Sequence, residues 1–286
     1  MAVYRRTYAA YAGALTPTWS RWFVLFRYAR RNLFRSKALT ALFVACFFYP
    51  AICLAIIYVA NNAAFLQQIA GTSADILTIN SRFFLNLMAV QGVLAFVLTA
   101  FAGPGLISSD LANGSLPLYL CRPLSRAEYV FGKASVLGIL LSEITWVPGL
   151  VLFVVQSTLA GPTWMWQNLW IAGSLIVSSL IWIVVLSLLA MALSAWVKWR
   201  IVAGALLLAM LFFGAGFGQA INAVMRTQLG HFVDLGYLMT VVWSSLFRTD
   251  AELSISALQA WIAILIYCAI CLGLLLRKVK AYEVVR

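Results

Sequence analysis

The amino-acid sequence predicts an all-α polytopic membrane protein with six transmembrane helices. Of its 286 residues, 64% are hydrophobic and only 10% are charged, whereas a soluble domain is about half apolar and about a quarter charged. Six apolar stretches approach or exceed the roughly 20 residues that a helix needs to cross a bilayer. Basic residues are concentrated between alternate stretches. Lipid is therefore the expected solvent for most of this chain.

The six apolar stretches are the predicted spans, and they lie at 39–60, 84–107, 134–157, 169–197, 201–217 and 257–276. They divide the chain into a cytoplasmic N-terminal segment (1–38), a transmembrane domain (39–276) and a cytoplasmic tail (277–286). No short apolar core precedes a small-residue cleavage site near the start, so a cleavable signal peptide is not expected.

The distribution of positive charge predicts the topology. Seventeen of the 20 Lys and Arg residues fall in the two termini and in alternate loops, and the other three are Arg82, Arg226 and Arg248. Cytoplasmic loops carry the excess of Lys and Arg in most membrane proteins. Both termini are therefore predicted in the cytoplasm, with the chain in the plasma (inner) membrane. Because the basic residues flank the spans, the net charge of +12 does not indicate a nucleic-acid partner.

The segment 18–36 precedes the first span and has an amphipathic pattern. Trp19, Trp22, Phe23, Phe26, Ala29 and Leu33 recur at three- and four-residue steps, while Arg27, Arg31 and Arg35 align on another face. This pattern is typical of a helix that lies in the membrane interface. The alternative is a solvated basic leader.

The segment 219–256 is the longest predicted outer loop, and its apolar run at 235–242 is too short to span. It predicts re-entrant or short helices before the sixth span. A seventh span here would contradict the charge distribution. The outer loops leave open an extracytoplasmic partner.

Catalytic and metal-binding patterns are not found in the sequence. His231 is the single histidine and has no partner at metal-ligand spacing, so no metal site is expected. A phosphate-binding loop is also missing, because Ala127 and Ala134 replace the first glycine and the final Ser or Thr around Gly132-Lys133. The chain is therefore predicted to be a non-catalytic subunit without a cofactor of its own.

Glu143 is the acidic residue that stands out within a predicted span. It lies about 15 Å along a helix from Lys133, which places it near the middle of the membrane. A carboxylate there is costly and usually faces protein or water. We interpret Glu143 as a pathway or gating residue, with a hydrogen-bonded or protonated packing residue as the alternative. Pro148 is expected to kink the same helix and belongs to the same candidate group.

The polar island at 108–133 separates the second and third spans. Residues 110–115 are polar and turn-prone, and Arg122-Pro123 restricts the backbone at a helix boundary. Ser125 stands three residues before Glu128, which is the spacing of a capping box. The island therefore predicts a short helix, an elbow and a second helix that continues into the third span.

The island resembles the corresponding loop of type-2 ABC transporter permeases. Gly114-Ser115-Leu116, Pro123-Leu124-Ser125-Arg126 and Gly132-Lys133 match the family pattern in order and spacing. The similarity is greatest to the permease subgroup that includes the one serving nitrous-oxide-reductase maturation. In this family the loop is a coupling helix that docks on a separate cytoplasmic ATPase.

The resemblance implies the membrane subunit of an exporter for a hydrophobic or amphipathic substrate. ATP and Mg would bind in the partner ATPase, and a second permease would complete a homodimer or heterodimer. The residues implied in coupling are Asp110, Gly114, Ser115, Arg122, Pro123, Arg126, Glu128 and Lys133. The alternatives are a non-transporting ABC-type assembly or signalling subunit, an intramembrane enzyme and a proton-driven transporter that uses Glu143.

Overall fold

The computed structural model describes residues 21–62, 78–113, 126–197, 199–249 and 254–278, and all regular secondary structure in these segments is helical. The α-helices are α1 (Arg21–Leu33), α2 (Lys37–Ala45), α3 (Phe48–Asn61), α4 (Ser81–Ala102), α5 (Pro104–Ala112), α6 (Arg126–Ile144), α7 (Trp146–Ala160), α8 (Pro162–Trp196), α9 (Arg200–Met225), α10 (Leu235–Leu246) and α11 (Ala257–Lys278). A 3₁₀ turn at Leu229–Phe232 precedes α10.

Six helical segments are long and apolar enough to cross a membrane, as the sequence predicts. They are Lys37–Asn61, Ser81–Ser108, Glu128–Ala160, Pro162–Trp196, Arg200–Met225 and Ala257–Lys278. The chain is therefore a multi-span membrane protein. Several segments are longer than their predicted apolar stretches.

The fourth span, α8, is the centre of the bundle. It contacts α4, α5, α6, α7 and α11. Its buried face carries small hydroxyl residues, among them Ser174, Ser178, Ser179, Ser187 and Ser194. Small residues let helices approach closely in a membrane, where the hydrophobic effect does not hold helices together.

The two ends of the bundle differ in charge. Arg35 and Lys133 line one cavity with Gly105, and Arg200 donates a hydrogen bond to the carbonyl of Phe101 over 3.1 Å. Lys278 lies 5.2 Å from the ring centroid of Trp196 at the end of α8. We call this end of the bundle the basic end. The assignment of the basic end to the cytoplasm stays a prediction from the positive-inside rule.

The first span is interrupted between α2 and α3, and the interruption follows from Pro50. Proline has no N–H, so the carbonyl of Cys46, four residues earlier, has no helical donor. The side-chain amide of Gln91 on α4 donates to that carbonyl over 3.1 Å in a buried position. A polar side chain of the second span thus stabilises the break in the first.

An aromatic cluster fixes α10 against α4 and α8. The rings of Trp182 and Trp243 meet edge to face with centroids 5.7 Å apart, and Trp182 Nε1 donates to the carbonyl of Gly92 over 2.9 Å. Phe96 stacks on Trp182 from α4. The cluster buries a helix of 12 residues, too short to span, within the bundle.

The helix α10 confirms the prediction of short helices before the sixth span. Its N-terminus is capped by Asp234, whose carboxylate accepts from the N–H of Tyr237 over 3.0 Å. A sharp turn returns the chain from α9 to α10, and a Cβ on Gly230 would overlap the carbonyl oxygen of Gly218. Glycine is required where two backbones approach this closely.

The amphipathic segment before the first span is helical from Arg21 to Leu33 and lies against α6. Phe26 and Leu33 are buried and Ala29 is partly buried, whereas Phe23 is exposed, as are Arg27, Arg31 and Arg35. The predicted apolar face is therefore covered at its C-terminal half and not at Phe23, and a position in the membrane interface stays a prediction. Residues 18–20 of the predicted helix and the tail beyond Lys278 lie outside the described residues.

We predict that Gly92→Ala destabilises the bundle by about 1–3 kcal/mol, because a Cβ there would lie 2.5 Å from Cη2 of Trp243. The measurement is the thermal unfolding midpoint of the detergent-solubilised protein. Gly173→Ala is the matched control, since no atom lies within 4 Å of the added Cβ. Equal midpoints for the two variants would contradict the close contact between α4 and α10.

Candidate functional site

The candidate site lies at the basic end, where the second span runs into α5 and the third begins in α6. Asp110 is in α5, and Arg126, Glu128 and Lys133 are in α6. Gly114, Ser115, Arg122 and Pro123 lie outside the described residues, as does the side chain of Arg126. The predicted second helix of the island is present and is continuous with the third span.

Asp110 and Lys133 bind each other across this junction. Lys133 Nζ lies 2.9 Å from Asp110 Oδ2, and the side chains are only 9% and 13% exposed. The hydroxyl of Tyr129 donates to the same carboxylate oxygen over 2.7 Å. Tyr129 and Lys133 are four residues apart and therefore lie on one face of α6. We call these three residues the Asp110 clasp.

The Asp110 clasp joins α5 to α6 with charges that are nearly removed from solvent. Tyr129 is fully buried, and Lys133 Nζ also lies 5.8 Å from the centroid of its ring. Losing one partner of such a pair leaves an uncompensated buried charge, which is strongly destabilising. Two of the residues predicted to serve coupling thus have an observed structural contact within the chain.

Ser194 of α8 holds the other side of α5. Its hydroxyl donates to the carbonyl of Pro104 over 2.7 Å and accepts from the N–H groups of Ile107 (3.1 Å) and Ser108 (2.8 Å). In a regular α-helix the N–H of Ser108 would donate directly to the carbonyl oxygen of Pro104. Here the Ser194 hydroxyl lies between these two groups. The Ser108 hydroxyl also donates to the carbonyl of Pro104. One buried hydroxyl therefore stabilises the start of α5.

The break between α4 and α5 is also a point of close helix approach. A Cβ on Gly103 would lie 2.6 Å from the Ala190 methyl group, and one on Gly204 would lie 2.8 Å from the Ala100 carbonyl oxygen. The fourth and fifth spans therefore enclose this break on two sides. Any movement of α5 has to be accommodated by α8 and α9.

Glu143 has a partner that the sequence analysis missed. Arg30 Nη2 of α1 donates to Glu143 Oε1 of α6 over 3.0 Å. The two side chains are 45% and 32% exposed, so the pair lies at the surface of the described residues. Arg30 is separated from Glu143 by 113 positions. Only a face-by-face comparison of α1 and α6 would have suggested this contact.

The depth of Glu143 in the membrane depends on the length of the third span. The helical segment extends from Glu128 to Ala160, so it exceeds the hydrocarbon thickness. Glu143 is about 26 Å from the Ala160 end by helical rise, close to the full hydrocarbon thickness of about 30 Å. Where the bilayer lies along this segment decides the depth of Glu143, so both its position near the middle of the membrane and its role in a pathway or gate stay predictions.

Pro148 lies just beyond a break in the third span. The helix is interrupted at Thr145, where α6 ends and α7 begins. Pro148 has no N–H to offer the carbonyl of Ile144, the last residue of α6. The helix is therefore interrupted where the kink was predicted. Pro148 is buried, and its neighbour Gly149 would place a Cβ 3.2 Å from Leu175 of α8.

Comparisons with known proteins assign no role to the residues of this site. No protein-family model matches the chain, and no curated protein matches it at a significant level. Within the described segments, no group of three or more His, Cys, Asp or Glu side chains is arranged to hold a metal ion.

We predict a strong coupling energy within the Asp110 clasp. Lys133→Met should destabilise the protein by about 3 kcal/mol, because it removes the Lys133 ammonium group from the nearly buried carboxylate of Asp110. Asp110→Leu combined with Lys133→Met should cost much less than the sum of the two single substitutions. The measurement is a double-mutant cycle on unfolding midpoints. Lys37→Met, at an exposed position, is the control; strictly additive effects would contradict the clasp.

We also predict that the Arg30–Glu143 pair holds α1 on α6. Arg30→Glu would place two carboxylates together, so amide hydrogen exchange in residues 21–33 should increase. The double variant Arg30→Glu with Glu143→Arg restores opposite charges and should return exchange toward the original rate. Unchanged exchange in the single variant would show that other contacts hold α1.

Proposed function

We propose that this chain is the membrane subunit of an ATP-driven exporter of the type-2 ABC class. The observation that carries the proposal is the junction of α5 and α6, where the motif-bearing island is anchored to the bundle by the Asp110 clasp and by Ser194. A loop that receives force from a soluble partner needs such rigid connections to its spans. The motif resemblance supplies the identity of the partner, a cytoplasmic ATPase.

The proposed mechanism begins with ATP-driven closure of two ATPase subunits against the islands of two permeases. Force on α6 would reach α5 through the Lys133–Asp110 ion pair and would reach α8 through Ser194. Because α8 contacts most of the other spans, a shift there would repack the bundle. A path between two permease subunits would then change its access.

The helix α1 gives the mechanism a second connection. It lies along α6 and is joined to it by the Arg30–Glu143 ion pair. An amphipathic helix in the membrane interface resists displacement along the bilayer normal. We infer that α1 acts as the fixed element against which α6 pivots. Glu143 would then act as a hinge contact, and its proposed role as a pathway residue becomes the alternative.

The substrate class is proposed from the chemistry of the spans. Their exposed faces carry large apolar side chains, such as Phe212, Phe213 and Phe217 on α9. An apolar wall suits a hydrophobic or amphipathic molecule better than a hydrated ion, because an ion would lose its hydration without compensation. A lipid, a hydrophobic peptide or a drug-like molecule is accordingly the proposed cargo.

The deciding experiment asks whether an ABC ATPase is encoded beside the gene of this chain and whether the two proteins co-purify. The exchange Arg126→Glu with Glu128→Arg reverses the charges of two residues of the proposed docking surface at constant net charge. We predict that it weakens complex formation and lowers permease-coupled ATP hydrolysis about tenfold or more, the effect expected when interfacial charges are reversed. Pull-down yield and ATPase rate in reconstituted vesicles are the measurements.

Arg82→Glu, at the end of the bundle opposite the docking surface, is the control and should retain complex formation. Normal binding and coupling in the charge-exchanged variant would contradict the docking assignment. Binding and ATP hydrolysis without movement of any hydrophobic cargo would instead favour the assembly or signalling subunit.

A further inference from the structure

A cavity of about 480 Å³ lies between α1, α5 and α6 at the basic end. Its polar lining comes from Tyr28, Arg31, Asn32, Arg35, Asp110 and Lys133. A volume of this size is within the range of cavities that hold small ligands or a headgroup. The coupling motif does not account for it, because four of these six residues belong to the amphipathic helix and its C-terminal flank.

The cavity has an excess of positive charge. Lys133 is matched by Asp110 within the clasp. Among the described residues, no carboxylate lies within ion-pair distance of Arg31 or Arg35. The carboxylates of Glu143 and Asp110 form their ion pairs with Arg30 and Lys133. Arg31 lies in the last turn of α1 and Arg35 just beyond its end, so two like charges face the same cavity and repel each other. An anion bound between them would relieve that repulsion.

The donors that line the cavity suit a phosphate group. Two guanidinium groups offer planar pairs of N–H donors that match phosphate oxygens. The amide of Asn32 and the hydroxyl of Tyr28 add neutral donors. The carboxylate of Asp110 repels a bound anion only weakly, because its charge is balanced by Lys133 and it accepts a hydrogen bond from Tyr129.

A second cavity beside the first is aromatic and basic. It encloses about 540 Å³ and is lined by Phe23, Phe26 and Phe34 together with Arg27, Arg30 and Arg31. Arg31 lines both cavities. A polar compartment next to one with three phenylalanine rings suits a phospholipid, with the phosphate in the first and the start of an acyl chain along the rings of the second.

We propose that the cavity between α1, α5 and α6 binds a phosphate group, and that its source is an anionic membrane lipid. Arg31 and Arg35 hold the phosphate, and the aromatic cavity receives the start of an acyl chain. The bound lipid ties α1 to the α5–α6 junction next to the Asp110 clasp. This inference concerns a lipid site and does not depend on the proposed transport function.

The test uses the purified full-length protein in detergent, titrated with phosphatidylglycerol or with phosphatidylcholine. Retained lipid molecules are counted by native mass spectrometry. We expect preferential retention of phosphatidylglycerol, and about a tenfold loss of apparent affinity in the variant Arg31→Gln with Arg35→Gln, because charge-assisted hydrogen bonds are removed. The variant Arg31→Lys with Arg35→Lys keeps the charges but not the paired donors, so its affinity should be intermediate.

The matched control is Lys37→Gln with Arg277→Gln, which removes the same charge from two exposed positions outside the cavity lining. It should retain phosphatidylglycerol within about twofold of the unchanged protein. Equal losses in the two Gln variants would overturn the proposal in favour of diffuse attraction between the basic end and anionic lipid. The absence of any preference for phosphatidylglycerol over phosphatidylcholine would overturn the lipid source.

A parallel titration with inorganic phosphate tests whether the bound phosphate belongs to a lipid or is a free phosphate ion. If phosphate alone raises the unfolding midpoint, and the Arg31→Gln, Arg35→Gln variant loses that shift, the phosphate site stands and its ligand is soluble. If neither phosphate nor phosphatidylglycerol acts through these arginines, the proposal fails. The unfolding midpoint of each variant without ligand shows that it is folded.

Discussion

Backbone groups freed where a span breaks must find partners inside the bundle, because lipid supplies none. The described spans break at three places, near Cys46, Gly103 and Thr145. At the first two breaks a side chain from another span makes the bond, Gln91 to the Cys46 carbonyl and Ser194 to the Pro104 carbonyl. Each of these two breaks is thus bonded to another span, so the interruptions add connections between helices.

This constraint accounts for the central position of α8. Its hydroxyl residues are small enough to bury and polar enough to serve backbone groups of neighbouring elements. Ser194 bonds to α5, and Ser174 donates to the carbonyl of Leu246 at the end of α10 over 2.8 Å. Trp182 bonds to Gly92 of α4. One helix therefore fixes the positions of three others through a few directional bonds.

The spans could be predicted from the sequence because their signals are local: apolar length, flanking charge and the missing N–H of proline. The contacts of the candidate site could not, because they join distant positions. Asp110 and Lys133 stood out by charge, yet the sequence could not show that they bind each other. Arg30 and Glu143 could be paired only once α1 was known to lie on α6, and the position of Glu143 along its span depended on where that helix ends.

Charged side chains connect α1, α5 and α6 at the basic end of the bundle. The nearly buried charges of Asp110 and Lys133 pair with each other and join α5 to α6. The more exposed Arg30 and Glu143 also form an ion pair, which joins α1 to α6. Arg31 and Arg35 are left facing a cavity at this junction. A bound anion would complete the compensation and bring α1, α5 and α6 into one unit. Three helices connected in this way would move as one rigid body, so a displacement of α6 would reach α8 through Ser194.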